Sequence, residues 1–152
     1  MRPYGFGFQS ECAGSDQRLA LAEKPRDGLP LDFHLTGAEA SDSPQFETLL
    51  DLEPDVTPRA IIADKGYDAK ANREAARERG SVPVIPYRSN VKNQPKFFPK
   101  KLYALRSRIE ILIGKAKRFK RFALRCEKTA RNYAAIVALV FGFILVQSVH
   151  TA

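Results

Sequence analysis

Short stretches of alternating or continuous apolar residues in the first part of the chain predict β-strands. Residues 31–36 (LDFHLT) alternate apolar and polar positions, which places Leu31, Phe33 and Leu35 on one face of a half-buried strand. Residues 60–63 (AIIA) are continuously apolar, as expected of a strand buried on both faces. Two more strands are predicted at 18–22 and 82–85, and the proline in the second favours an edge position.

Helical patterns alternate with these strands. Pro44 suits the first turn of a short helix that Ser43 would cap. Asp68 is expected to cap an alanine- and arginine-rich helix that runs to Arg79 and stops at Gly80. Because strands and helices alternate along the chain, the predicted class is an α/β sheet with some parallel pairing.

Two more helices are predicted in the second half of the chain, at 103–117 and at about 129–149. The last one contains thirteen consecutive apolar residues, 134–146 (AAIVALVFGFILV). This run is shorter than the roughly 18 to 20 residues that cross a bilayer. It therefore predicts a buried core helix and not a membrane span.

The helix at 103–117 (YALRSRIEILIGKAK) separates a polar face from an apolar one. At about 100° per residue, Tyr103, Arg106, Glu110 and Lys117 fall at roughly 0, 300, 340 and 320°, within one narrow stripe. A second stripe on the far side is apolar and predicts packing against a core; it contains Leu105, Ile109, Leu112, Ala116 and Phe119.

The pattern is consistent with two roles for Glu110. As part of a solvated basic helix, it would only pair with Arg106 one turn earlier, a contact worth a few tenths of a kcal/mol. Alternatively, it is a metal-binding carboxylate set into a phosphate-binding surface, where the cations hold nucleic acid and the acid holds a divalent ion.

Charge is divided unevenly along the chain. Residues 81–152 hold fifteen Lys and Arg but only two acids, a net charge of +13, whereas residues 1–80 carry −5, which gives +8 in all. The loop at 86–99 (PYRSNVKNQPKFFP) combines cations such as Arg88 with three aromatic residues and suits phosphate contact and base stacking. An ordinary linker would have the same pattern.

Length and composition indicate one globular domain. A chain of 152 residues with 44% hydrophobic and 28% charged residues can bury a core. Its two cysteines have no neighbour at metal-ligand spacing, and the N-terminus is not a secretory signal, so a reducing cytoplasm is expected. Residues 1–18 lack periodicity and predict a poorly ordered arm, which leaves 19–152 as the domain.

The spacing of Tyr103, Arg106, Glu110 and Lys117 resembles the signature around the last acid of DDE transposases from bacterial insertion sequences. Three other segments, IIADKGYDA, VPVIPYRSN and KTARNYAAIVAL, resemble the same family in the same order. The resemblance covers about 29–149.

This resemblance implies a ribonuclease-H-like mixed sheet flanked by helices, which would be incomplete at its N-terminal strands. It also implies that three carboxylates hold two divalent ions, Mg²⁺ or Mn²⁺, and that the protein cleaves and joins DNA with them. Asp64 and Glu110 would be the second and third of these acids. The expected partner is DNA, both the transposon ends and the target site. Five residues would contact the transposon end: Tyr103, Arg106, Lys117, Lys115 and Arg88.

One departure from the family pattern concerns the first acid. It is expected on a strand just before residues 28–36, and Pro25, which cannot bind a metal, falls at its position. Asp27 is a tentative replacement, and Glu23 is another. The sequence therefore predicts a truncated transposase whose activity is in doubt.

Two other functions are consistent with the sequence. A non-catalytic DNA-binding protein could pair with an intact transposase and inhibit it, and the active protein could also form a homo-oligomer. A basic interaction module unrelated to DNA is the last alternative, and the salt dependence of DNA binding separates it from the other readings. No membrane partner is expected.

Overall fold

The computed structural model describes residues 4–9, 17–24, 29–37, 40–41, 43–52, 58–91 and 94–150, and for the first two of these ranges it describes the backbone alone. Asp27 and Pro25 lie outside the described residues.

In the part of the chain that the structure describes, five strands form one mixed sheet in the order β3-β2-β1-β4-β5. The first three pair antiparallel, and β4 and β5 extend the sheet in parallel from β1. Their bounds are β1 Tyr4–Gln9, β2 Gln17–Lys24, β3 Leu29–Gly37, β4 Ala60–Ile62 and β5 Val82–Val84. The predicted α/β class with partly parallel pairing is therefore confirmed, and Pro83 lies on an edge strand as expected.

The N-terminal strands differ from the prediction. A poorly ordered arm was expected over 1–18, but Tyr4–Gln9 form β1, which lies at the centre of the sheet between β2 and β4. The expectation of a sheet incomplete at this end is wrong for the same reason. Aromatic residues alternate with glycine in this stretch (YGFGFQ), which is the two-residue period of a strand, but glycine is depleted in strands and its presence here favoured a loop.

An irregularity in the pairing of β2 with β3 places Leu31 in a different core cluster from Phe33 and Leu35. Ala22 pairs with Asp32 and Glu23 with Pro30, which leaves Leu31 without a partner, as in a β-bulge. Phe33 and Leu35 pack against the C-terminal helices, whereas Leu31 packs against a different cluster. The predicted single face is thus correct only beyond the bulge.

Within the described ranges, six α-helices accompany the sheet: α1 Gln45–Asp51, α2 Lys70–Glu78, α3 Lys100–Tyr103, α4 Ser107–Ala116, α5 Lys120–Leu124 and α6 Ala130–His150. The helix predicted at 103–117 is interrupted, because Ala104–Arg106 form a 3-10 turn between α3 and α4. The end of α2 follows the prediction: Gly80 has φ 73°, and the amides of Gly80 and Ser81 donate to Arg77 and Ala76 as in a Schellman motif.

Two predicted helix caps are wrong. Pro44 takes the N-cap position of α1, and the Ser43 hydroxyl instead accepts a hydrogen bond from the buried side chain of Asn72 at 3.1 Å. Ala69 takes the N-cap position of α2, and Asp68 instead forms an ion pair with Arg73. In both cases a polar side chain at the spacing of a helix cap forms a contact with α2 instead of capping the helix.

Helices cover both faces of β4. Ile61 belongs to a cluster with Phe46 of α1 and Tyr67, and all three are fully buried. Ala60 and Ile62 face the other way and form a second cluster with Val84, against which Tyr103 and Leu105 pack. The prediction that this strand is buried on both faces is confirmed, and its second cluster fixes the segment that leads into α4.

The largest core cluster lies where α4 and α6 pack together. From α4 it takes Ile109, Leu112, Ile113 and Ala116, and from α6 it takes Tyr133, Val137, Val140, Phe141 and Ile144. In the part of the chain that the structure describes, α6 alone is long and apolar enough to cross a membrane by length and composition. It is buried along one face only, since Leu139 and Val146 are 70% and 56% exposed. The prediction of a core helix is confirmed along this one face, and the helix is longer than the thirteen-residue apolar run suggests.

Candidate active site

Asp64 lies just past the carboxyl end of β4, at the edge where side chains of parallel strands converge. Its backbone is extended, and Oδ1 accepts a hydrogen bond of 2.7 Å from the amide of Gly66. Asp64 thereby caps the 3-10 turn Lys65–Tyr67, and Tyr67 is fully buried beneath it. The buried turn fixes the backbone of Asp64, while the residue itself stays partly exposed.

Glu110 lies in the first turn of α4, on the stripe that the helical wheel predicts. Its Oε1 accepts a hydrogen bond of 2.6 Å from Arg106, and 56% of the Glu110 side chain is exposed. The Arg106 guanidinium also lies 5.9 Å from the centre of the Tyr103 ring. The 3-10 turn between α3 and α4 does not separate these three residues.

Tyr103 packs against the cluster on β4 and lies beside Arg106, the ion-pair partner of Glu110. Its ring packs edge-on against Phe98 with centroids 5.3 Å apart, and burial raises the pKa of its hydroxyl. Arg106 lowers this pKa, whereas the negative charges of Asp64 and Glu110 both raise it further. Both carboxylates are therefore within electrostatic range of one phenol, as expected if β4 and α4 bring them to a common site.

The other predicted DNA-binding residues surround this site to different extents. Arg88 donates through its guanidinium to the carbonyl of Gly66 at 3.3 Å, so it lies beside the turn that follows Asp64. Lys115 is in the last turn of α4 and Lys117 is its C-cap residue, and both are exposed. On a regular helix, Lys117 lies about two turns beyond Glu110.

A third carboxylate is not found beside these two in the described part of the chain. No three His, Cys, Asp or Glu side chains among the described residues could hold a metal ion together. The strand that pairs with β4 on the inner side is β1, where Tyr4 pairs with Ile61 and Gly5 with Ile62. Its sequence, YGFGFQ, has no acid.

The sequence analysis missed a buried network just behind Asp64. Arg73 of α2 donates to Asp68 Oδ1 at 2.7 Å and to the carbonyl of Ile85 at 2.8 Å, and its guanidinium lies 3.8 Å from the centre of the Tyr87 ring. Asp68 also accepts a hydrogen bond from the amide of Arg88. An acid followed five residues later by arginine carries no signal for this contact, because regular helix pairs are spaced by three or four.

The fold defines a class of protein, a domain built on a ribonuclease-H-like mixed sheet with helices on both faces. The same fold occurs in the catalytic core domain of BIV integrase, with a TM-score of 0.58 and 14% identity over 92% of this chain and 80% of that one. The likeness confirms the predicted ribonuclease-H-like architecture.

The family follows from the sequence. Residues 17–145 match the model of the transposase DDE domain, and the chain belongs to this family. It is 35% identical to a protein from Brucella ovis named as a transposase for insertion sequence element IS6501, over 77% of this chain and 88% of the relative. It is also 40% identical to a protein from Burkholderia cepacia named for IS402, over 40% of this chain and 33% of that protein. The predicted kinship with insertion-sequence transposases is confirmed.

Proposed function

We propose that this chain binds the DNA ends of an insertion sequence and that Asp64 and Glu110 are its catalytic carboxylates. The observation that supports the proposal is the position of Asp64 at the carboxyl edge of β4 in a ribonuclease-H-like sheet, with Tyr103 packed against the cluster on β4 and beside Arg106, the ion-pair partner of Glu110. DNA is the substrate class because the family acts on it and because residues 81–152 carry a net charge of +13.

Each of the neighbouring side chains has a part in holding DNA. Lys115 and Lys117 are exposed cations that bind phosphate oxygens, and Arg88 brings a third cation beside Asp64. Tyr103 remains protonated and donates a hydrogen bond, because burial and the two carboxylates raise its pKa. Arg106 orients Glu110 through their 2.6 Å hydrogen bond.

The residues present fit a divalent ion, Mg²⁺ or Mn²⁺. Carboxylate oxygens are the ligands that these ions prefer, and Asp64 and Glu110 both keep solvent-accessible oxygens. When bound, a pair of such ions activates the attacking oxygen and stabilises the leaving oxygen in phosphodiester cleavage. Asp27, the proposed replacement for the first acid, lies outside the described residues.

A second candidate function is a DNA-binding protein without catalysis, which would pair with an intact transposase and inhibit it. The observation that favours it concerns the first acid: β1, the strand beside β4, has no acid, and no further carboxylate groups with Asp64 and Glu110 among the residues whose side chains the structure describes. Under either proposal the chain acts on bacterial DNA in the cytoplasm.

Magnesium-dependent nicking of a DNA that carries the ends of the element tests both candidates. We expect the parent chain to nick, and Asp64→Asn and Glu110→Gln to lose at least about 100-fold in rate, as is usual when a group that stabilises the transition state is removed. Glu127→Gln is the matched control, because Glu127 is the other acid of the basic half and pairs with Arg121. Its rate should equal that of the parent.

The other outcomes are equally specific. Loss of nicking in Asp27→Asn would assign the third carboxylate to Asp27. No nicking by the parent, with DNA binding that weakens steeply as salt rises, would support the non-catalytic candidate. DNA binding that is absent or insensitive to salt would exclude both and leave a basic module unrelated to DNA.

A further inference from the structure

A groove of about 260 Å³ lies outside the edge of the sheet, between α2, β5 and residues 95–99. The outer strand leaves Val82 59% exposed as part of its floor. The groove is smaller than the roughly 300 to 1,000 Å³ of sites for drug-sized ligands, and it suits a single flat ring system.

Phe97 is the most conspicuous side chain of this groove, because it is 80% exposed. The next residue, Phe98, packs inward against Tyr103 and the cluster around Ile62 and Val84. Pro95 and Pro99 flank the pair, and proline restricts the backbone on both sides. The chain thus anchors Phe98 and presents Phe97 to solvent, where folding gives no reason for a large aromatic residue.

Two arginines line the groove, and only one of them is available to a ligand. Arg73 is buried and is bound to Asp68, to the carbonyl of Ile85 and to the face of Tyr87. Arg77 lies one turn further along α2, is exposed, and forms no ion pair with any described residue. The groove therefore combines an exposed aromatic face, an apolar floor and the exposed cation of Arg77, which has no ion-pair partner in the described part of the chain.

We propose that this groove binds an unpaired nucleobase of a DNA strand, stacked on Phe97, with a flanking phosphate held by Arg77. A base inside a duplex has both faces covered by its neighbours, so only an unpaired base can stack on Phe97. The proposal rests on the DNA-binding function proposed above and adds a binding site to it.

The groove is placed to receive such a base from DNA held at the acids. Phe98 lines the groove and also packs against Tyr103, and the guanidinium of Arg106, which pairs with Glu110, lies 5.9 Å from the centre of the Tyr103 ring. One aromatic side chain therefore separates the groove from the candidate active site. A strand whose phosphate lies at the acids would reach the groove with a neighbouring nucleotide.

The test compares the full chain with two variants on two DNA probes. The probes are a duplex with a short single-stranded oligo-thymidine tail and the same duplex with blunt ends, and binding is followed by fluorescence anisotropy. Phe97→Ala should weaken binding of the tailed duplex about 5-fold or more, because base stacking on an aromatic residue contributes about 1–3 kcal/mol. Phe97→Trp, which keeps an aromatic face, should bind it as the parent does.

Controls separate stacking from general effects. Leu139→Ala removes another exposed apolar side chain, 70% exposed on α6, and should change neither affinity. Arg77→Gln should lower the dependence of log affinity on log salt by about 0.7 for the tailed duplex only, as expected for one phosphate contact to a single strand. 2-Aminopurine placed in the tail should be quenched by the parent and by Phe97→Trp, but not by Phe97→Ala.

Two results would overturn the proposal, and they differ. Equal affinity for both probes, unchanged in Phe97→Ala, would exclude the groove as a base site while DNA binding itself stands. Failure of the parent to bind either probe at low salt would remove the proposed function and the groove's role with it.

Discussion

The hydroxyl of Tyr103 is a reporter for the two acids at the scale of single residues. Burial raises its pKa above the ordinary value of about 10, and Asp64 and Glu110 raise it further against the opposing effect of Arg106. Since the folded-state pKa is raised, the contribution to stability is fully present below about pH 10 and is lost as pH rises through the folded pKa.

We predict that Asp64→Asn and Glu110→Gln each lower the pKa of Tyr103. The measurement is a titration of phenolate absorbance, with Tyr103→Phe subtracted because the chain contains five tyrosines. Arg106→Gln should shift the pKa in the opposite direction, which serves as an internal control. A pKa of Tyr103 that does not respond to Asp64→Asn would mean that the two acids do not share a site.

The sequence predicts the contacts of a residue where these depend on spacing within one helix. The wheel places Arg106 and Glu110 on one face, and they form an ion pair. Ser43 and Asp68 were predicted wrongly, because the residue types that cap helices also form tertiary contacts. Ser43 accepts a hydrogen bond from Asn72, which is distant in sequence, and Asp68 forms an ion pair with Arg73. Only the folded chain reveals these competing partners.

Asp68 connects the 3-10 turn that follows β4 with α2 and with the segment after β5. Its side chain is 6% exposed and binds Arg73 of α2, 8% exposed, as well as the amide of Arg88 beyond β5. Asp68→Asn would leave the buried guanidinium of Arg73 without its counterion. We expect a loss of about 3–5 kcal/mol in the free energy of unfolding, measured by urea denaturation.

Asp51→Asn is the matched control for this prediction. Asp51 also pairs with an arginine, Arg79, at 2.6 Å, but the two side chains are 66% and 36% exposed. Such a pair contributes at most about 1 kcal/mol. Similar losses in the two variants would show that the Asp68–Arg73 pair is not buried in solution.

Elements whose ends carry a strong local signal were predicted well. Gly80 ends α2 because only glycine adopts φ 73° without strain, and the apolar run before Asp64 becomes β4. The break at Ala104–Arg106 has no such signal, since no proline or glycine interrupts this part of the chain. Packing of Tyr103 and Leu105 against β4 and β5 accompanies the 3-10 geometry there.

The whole molecule depends on β1, which precedes the part of the chain that matches the family. It pairs with β2 on one side and β4 on the other, so it connects the antiparallel and parallel parts of the sheet. We predict that a chain starting at Gln17 loses the cooperative thermal unfolding of the parent, as followed by circular dichroism.

A chain starting at Tyr4 controls for the loss of terminal residues and should unfold as the parent does. If the chain starting at Gln17 unfolded at the temperature of the parent, β1 would be dispensable. This arrangement could not be predicted from the sequence, because strand order depends on pairings between distant segments and because glycine, at every second position of β1, is typical of loops.

The central place of β1 also sets an order of events during synthesis. β1 leaves the ribosome first and can pair with β2 soon afterwards, since the two are antiparallel and near in sequence. Its other edge has to wait for Ile61 and Ile62, and parallel pairing between distant segments forms slowly. Until then, β1 has an unpaired edge that can join another nascent chain. Closing of the sheet by β4 is therefore the step at which slow translation or crowded expression would divert the protein into aggregates.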